Sequence, residues 1–255
     1  MTQHLHGYAG RILRVDLSSG AISTVPTSDY AAFLGGRGMA ARIHWDDVPP
    51  HVGALDPDNR LTFLTGPLMG FAGFASSRWQ VCGKSPATAP EHFCYSKLGG
   101  TWGVALKFAG YDGIIVQGRA DRPVYCVVDQ AGVQLRDAGY LWGKGAIEVR
   151  EALKSELGGS VNVVACGQAG ENMAVMASLL ADKDASGSSG FGAVMGSKNL
   201  KAIAVARGDL RPTAAHPDRL QELVRQYHQL RGQWSDQYFP TAPGKTMRDH
   251  CWGCP

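Results

Sequence analysis

No stretch of the 255 residues approaches the ~18 consecutive apolar positions that a membrane-spanning helix requires. The N-terminus, Met1-Thr2-Gln3-His4-Leu5-His6, lacks a basic segment followed by an apolar one, so no secretory signal is expected. Runs of lysine or arginine are absent, and a net charge of +3 is too mild to point to nucleic acid. Cysteine is sparse. Four of the six (Cys82, Cys94, Cys126, Cys166) are scattered, and three of those sit in apolar, strand-like runs such as Val124-Tyr125-Cys126-Val127-Val128. They are expected to be buried free thiols acting as small hydrophobes, in a cytoplasmic, reducing compartment. There are no internal repeats and no low-complexity tract.

Glycine, by contrast, is abundant. Its 33 copies are about twice the usual ~7% usage, and pairs such as Gly35-Gly36, Gly99-Gly100 and Gly158-Gly159 suggest turns or backbone pressed against a ligand. The other conspicuous feature is Cys251-Trp252-Gly253-Cys254-Pro255. Two thiolates at this spacing suit half of an iron–sulfur or zinc site, either of which usually takes four protein ligands. Two unpaired surface cysteines are the plain alternative. A thioredoxin-like pair would require a helix beginning at the motif. The expectation is a cluster-binding run whose remainder lies in sequence beyond Pro255.

Periodicity predicts a hairpin from Arg11–Leu17 and Ala21–Val25, turned by Ser18-Ser19-Gly20. Helical patterns cover 28–34, Met39 to about Trp45, 99–109, 145–157 and Pro217–Arg231. Strand patterns recur at Leu61–Thr65, Trp79–Cys82, Gly113–Val116, Val124–Val128, Val133–Arg136, Val161–Ala165 and Ala202–Val205. Short strands joined by hairpins, with interspersed short helices, indicate an α+β fold rich in β-structure and built on antiparallel sheets. A composition break at Gly208–His216 divides a domain over 1–208 from a linker helix and the start of a helical region over 209–255.

Two glycine loops nearly match nucleotide-binding motifs. Gly83-Lys84-Ser85 ends like a P-loop, but the position five before its glycine is Arg78. Gly190-Phe191-Gly192 through Gly196 has three residues between its last two glycines where a dinucleotide fingerprint has two, and it follows a polar loop. The run Ser186-Gly187-Ser188-Ser189-Gly190 could still wrap an anion in backbone amides, with Lys198 and Lys201 following, or simply turn into a buried helix. Arg78, between Ser76-Ser77 and an apolar strand, reads either as a surface charge or as a phosphate clamp.

Together these segments resemble the N-terminal domain of the aldehyde ferredoxin oxidoreductase family of tungsten or molybdenum pterin enzymes. The matching stretches are Gly10–Gly20, Leu34-Gly35-Gly36-Arg37-Gly38, Thr65-Gly66-Pro67-Leu68, Ser77-Arg78-Trp79, Lys84-Ser85-Pro86, Gly99–Gly103, Leu106–Asp112, Gly170-Glu171-Asn172 and Gly190–Ile203. They run in order from about Tyr8 to Ala206.

The resemblance implies a β-rich base carrying a bis-pterin tungsten or molybdenum cofactor, with further helical domains covering it. It implies a [4Fe-4S] cluster whose first two ligands are Cys251 and Cys254. Arg78 would touch the cofactor phosphate. Backbone around Lys97, Gly99 and Gly100 and around Ser186, Gly187 and Ser188 would meet the pterin and its phosphate-linked magnesium. No catalytic residue is assigned to this portion. Substrates would be small aldehydes or carboxylic acids, and electrons would leave to ferredoxin or a partner subunit. The alternative is a shortened, non-catalytic homologue that binds a pterin or a partner. Some relatives have asparagine in place of Lys97 and arginine in place of Ser188, and a lost arginine removes a charged hydrogen bond worth ~1.5–3 kcal/mol.

Overall fold

The computed structural model describes residues 5–182 and 185–233. Two mixed six-stranded sheets form its frame. In chain order the first elements are β1 (Arg11–Asp16), β2 (Ile22–Pro26), a 3-10 helix (Thr27–Phe33), α1 (Gly36–Asp47), β3 (Leu61–Leu64), β4 (Trp79–Ser85) and β5 (His92–Leu98). They continue with α2 (Trp102–Phe108), β6 (Gly113–Gln117), β7 (Val124–Asp129), β8 (Gly132–Asp137) and α3 (Ala146–Leu157). The last are β9 (Asn162–Cys166), α4 (Gln168–Glu171), β10 (Leu179–Leu180), β11 (Ser186–Gly187), α5 (Phe191–Ser197), β12 (Leu200–Val205) and α6 (Pro217–Gln233).

The first sheet runs β2-β1-β6-β3-β4-β5 and the second β11-β10-β9-β12-β7-β8. The predicted hairpin forms as β1–β2, and most other neighbours are antiparallel. Each sheet also contains one parallel pair, β1–β6 and β12–β7, which a reading by hairpins does not anticipate. Such pairs need long crossovers, and α1 with β3 to β5 and α3 with β9 to β11 lie within them.

Alternation along the strands sorts the side chains. The inward faces of both sheets, with α2 and α5, bury Phe63, Trp79, Trp102, Val164, Phe191 and Ile203 in the main core. Trp79 and Trp102 stack with ring centroids 4.5 Å apart, and their indole nitrogens donate to Gly99 O at 3.0 Å and Ile203 O at 3.1 Å. The buried polar atoms are therefore satisfied. The outer face of the first sheet packs on Met39, Ala40 and Ile43 of α1, and that of the second on Val149 and Leu153 of α3. As expected, Cys82, Cys126 and Cys166 are buried, and burial pushes each thiol up to about 12.

No described helix is long and apolar enough to cross a membrane.

Candidate functional site

A groove of about 580 Å³ opens where α1 begins, beside the start of β4 and the end of β5. Local folding accounts for its lining. Trp79 points into the core, so its neighbours Arg78 and Gln80 fall on the opposite face, and Gln80 pairs across the sheet with Lys97. Arg37, in the first turn of α1, lies over the Tyr95 ring with its guanidinium carbon 4.4 Å from the centroid. Tyr95 and Lys97 are two residues apart on β5 and share a face.

Arg37, Arg78 and Lys97 are exposed, all three line the groove, and no carboxylate does so among the described residues. Among the described residues none of the three forms an ion pair. Apart from Ser76 and Gln80, the rest of the wall is apolar or bare backbone, as at Phe33, Leu34, Gly35, Gly36, Pro67 and Leu68. Gly36 has φ 47°, and a Cβ on it would stand 2.9 Å from Gln80 Cγ, so a side chain there would be strained and would crowd the floor. Gln80 Oε1 is buried and accepts no hydrogen bond. The groove thus offers clustered positive charge, a flat apolar rim and an orphaned acceptor, which suit a planar polar molecule carrying phosphates.

The predicted residues divide in two. Arg78 and Lys97 come together in the groove. Ser186–Ser188 does not line it but lies along β5, where Ser188 N donates to Ser96 Oγ at 2.9 Å and a Cβ on Gly187 would meet Leu98 at 2.9 Å. That loop is therefore docked on the residues flanking Lys97. Gly99 and Gly100 are buried, and the Gly99 carbonyl is engaged by Trp79. Cys251 and Cys254 lie outside the described residues.

Lys198 and Lys201 do not serve an anion loop. Lys198 Nζ donates to Pro57 O at 2.9 Å, Gly118 O at 3.3 Å and Asp56 O at 3.4 Å, while Lys201 pairs with Glu171. Gly83-Lys84-Ser85 lies within β4, where Lys84 Nζ holds the carbonyls of Pro50 and Val52. Sequence reasoning missed Arg37 and Gln80 as site residues. The signal for Gln80 was its two-residue spacing from Arg78.

Comparison with known proteins follows the same lines. The family description "Aldehyde ferredoxin oxidoreductase, N-terminal domain" matches residues 12–207. The tungsten-containing aldehyde ferredoxin oxidoreductase of Pyrococcus abyssi is 40% identical over 226 residues, covering 87% of this chain and 37% of that protein. The aliphatic sulfonate oxidoreductase, WOR-like subunit, of Pyrococcus furiosus is 32% identical over 242 residues, 88% of this chain and 38% of that one. The solved active-site complex BamBC of benzoyl coenzyme A reductase with 1,5-dienoyl-CoA has a TM-score of 0.85 at 37% identity, covering 93% of this chain and 37% of its own. The chain therefore spans little more than a third of the length of these relatives.

Proposed function

The chain belongs to the aldehyde ferredoxin oxidoreductase family, whose N-terminal domain it carries, and from that premise we propose that the groove seats the phosphate-bearing side of a tungsten or molybdenum bis-pterin. The observation that carries this reading is the convergence of Arg37, Arg78 and Lys97 with no carboxylate beside them among the described residues. When bound, the metal pterin supplies two-electron and oxygen-transfer chemistry. The chain's own residues bind and orient. The two guanidiniums and the ammonium would neutralise phosphate charge, Gln80 Oε1 would offer the group an acceptor, and the apolar rim residues between Phe33 and Leu68 would shield it from water. Backbone at Lys97 would meet the pterin or its magnesium, while Gly99, Gly100 and Ser186–Ser188, which do not line the groove, would act by holding the end of β5 that carries Lys97; residues 1–208 would form the cofactor base.

In the whole protein, Cys251 and Cys254 supply two thiolates of a [4Fe-4S] cluster that passes electrons to ferredoxin or a partner subunit. The reaction proposed is oxidation of aldehydes to carboxylic acids. The test is tungsten and pterin content of the whole protein, made without oxygen in a tungstate-supplied host. Arg78→Ala should lose cofactor that wild type keeps, while Lys84→Ala should not, because Lys84 holds a distant loop. Equal retention by all three proteins would sink the groove assignment. Metal-loaded protein that fails to reduce viologen with aldehydes would remove the aldehyde reaction and leave the cofactor reading standing.

A further inference from the structure

Leu34 adopts φ 64° and ψ −58°, and Gly35 N donates to Phe33 O at 2.8 Å. These define a γ-turn of the rare positive-φ form, which is strained for any residue with a side chain. The turn carries a leucine that is 70% exposed, and it lies in the groove wall immediately before the glycines that open α1. Strain of this kind persists only where the surroundings impose it.

Two hydrogen bonds impose it. Tyr8 hydroxyl donates to Leu34 O at 2.5 Å, and Gly36 N donates to Thr65 O at 2.9 Å. Both lead back to one buried residue, Asp112. Its carboxylate accepts Ala9 N at 3.0 Å, Gly10 N at 2.8 Å and the Thr27 hydroxyl at 2.6 Å. Its backbone carbonyl accepts Thr65 N at 2.9 Å and Thr65 Oγ1 at 2.8 Å. Lys107, also buried, pairs with Asp112 and donates to Gly7 O at 3.1 Å. Asp112 thus fixes the segment that presents the Tyr8 donor, the start of the 3-10 helix that ends beside Leu34, and the strand end that holds Gly36. This gives a physical role to the stretch Leu106–Asp112, which the groove itself does not use.

We propose that Tyr8 is a positioning residue for the groove: braced by Asp112 and Lys107, its hydroxyl holds the Leu34 γ-turn and so sets the corner from which Gly36 and Arg37 face the ligand. The proposal rests on the groove being the pterin seat, and its test separates the two.

The measurement is the rate at which tungsten and pterin leave the purified whole protein during dialysis, for wild type, Tyr8→Phe, Leu34→Gly, Tyr8→Phe with Leu34→Gly, and Arg78→Ala. Tyr8→Phe keeps the ring and removes only the donor. Loss about tenfold faster than wild type is expected, the ratio of a 1.4 kcal/mol change. Glycine can take the turn unaided, so whatever Leu34→Gly itself does to retention as a wall residue, adding Tyr8→Phe to it should speed the loss by no more than about twofold. General destabilisation by Tyr8→Phe would persist in the Leu34→Gly background, so an equal acceleration with and without Leu34→Gly overturns the proposal. Wild-type retention by Tyr8→Phe, with loss in Arg78→Ala, also overturns it while leaving the groove assignment intact. Retention by Arg78→Ala overturns the groove assignment and this proposal with it. If Tyr8→Phe alone does not fold, the double variant decides: loss about tenfold faster than from Leu34→Gly overturns the proposal.

Discussion

Two sets of cations show what the fold does with positive charge. Lys107, Lys198 and Lys201 are wholly buried, and each is surrounded by acceptors. Lys107 has Asp112 and Gly7 O, Lys198 has three backbone carbonyls, and Lys201 has Glu171 and Lys144 O at 2.8 Å. Arg37, Arg78 and Lys97 are exposed, share one groove and face no carboxylate among the described residues. The first set fastens loops to sheets. A buried charge is tolerated only when paired and hydrogen-bonded, so these lysines are committed to structure. The second set carries like charge in one groove, which an anion from outside would neutralise. Buriedness and pairing, not residue type, separate scaffold from site.

The largest effect that would sharpen this contrast is expected at Lys201. Among the described residues, Lys201→Met leaves the Glu171 carboxylate, whose side chain is 5% exposed, with the Gly143 amide as its donor, at 2.9 and 3.0 Å. Breaking a buried pair from one side costs about 3–5 kcal/mol. Denaturant unfolding checks it, and a loss under about 1 kcal/mol would mean the pair is not structural. This also explains why Gly170-Glu171-Asn172 stands out in the sequence: the carboxylate receives Lys201, and Gly170 packs so closely that a Cβ would reach Gly192 O at 2.5 Å.

A middle-sized effect is expected at Lys198. Burial, and then the neighbouring Arg60, lowers its ammonium to about 7 from an ordinary 10.5. Between those values the unfolded chain binds more protons than the folded one, so this group makes stability rise with pH across that window. Unfolding free energies of wild type and Lys198→Met, compared from pH 7 to about pH 10, should diverge in favour of wild type as pH increases. A constant difference would show that the carbonyls of Asp56, Pro57 and Gly118 keep the lysine protonated.

The same contrast explains what could be read from the sequence. Strands such as Val124–Asp129 and Leu200–Val205 declare themselves because β-branched and apolar residues accumulate where both faces are covered. The hairpin at 11–26 declares itself through its turn residues. β5 (His92–Leu98) did not, because its half-exposed positions follow no clean alternation. Parallel pairing of β1 with β6 was invisible because it joins residues about a hundred positions apart. α1 was expected from Met39 but starts at Gly36, since glycines read locally as loop. At the site, Arg78 and Lys97 were found through family resemblance, whereas Arg37 was passed over among glycines. Lys198 and Lys201 looked like anion ligands because sequence shows proximity to a glycine loop but not the carbonyls and carboxylate that already occupy them.

The smallest effect on stability should come from the groove itself, and it is the one that could break the comparison. Arg78→Ala and Lys97→Ala remove exposed side chains that make no ion pair among the described residues, so each should change unfolding free energy by no more than about 0.5 kcal/mol. The sign could favour the variants, because removing one cation relieves the other two; that relief shrinks with added salt as the charges are screened. Inorganic pyrophosphate should reverse the order. A ligand that binds only the folded state stabilises by RT ln(1 + [L]/Kd), so wild type should gain stability with pyrophosphate and a variant combining Arg78→Ala with Lys97→Ala should not. Lys84→Ala serves as the control: it loses its bonds to Pro50 and Val52 and should be less stable at every concentration, with an undiminished pyrophosphate gain. If Arg78→Ala or Lys97→Ala instead costs several kcal/mol without any anion, these cations are structural like the buried lysines, and the distinction between the two sets fails.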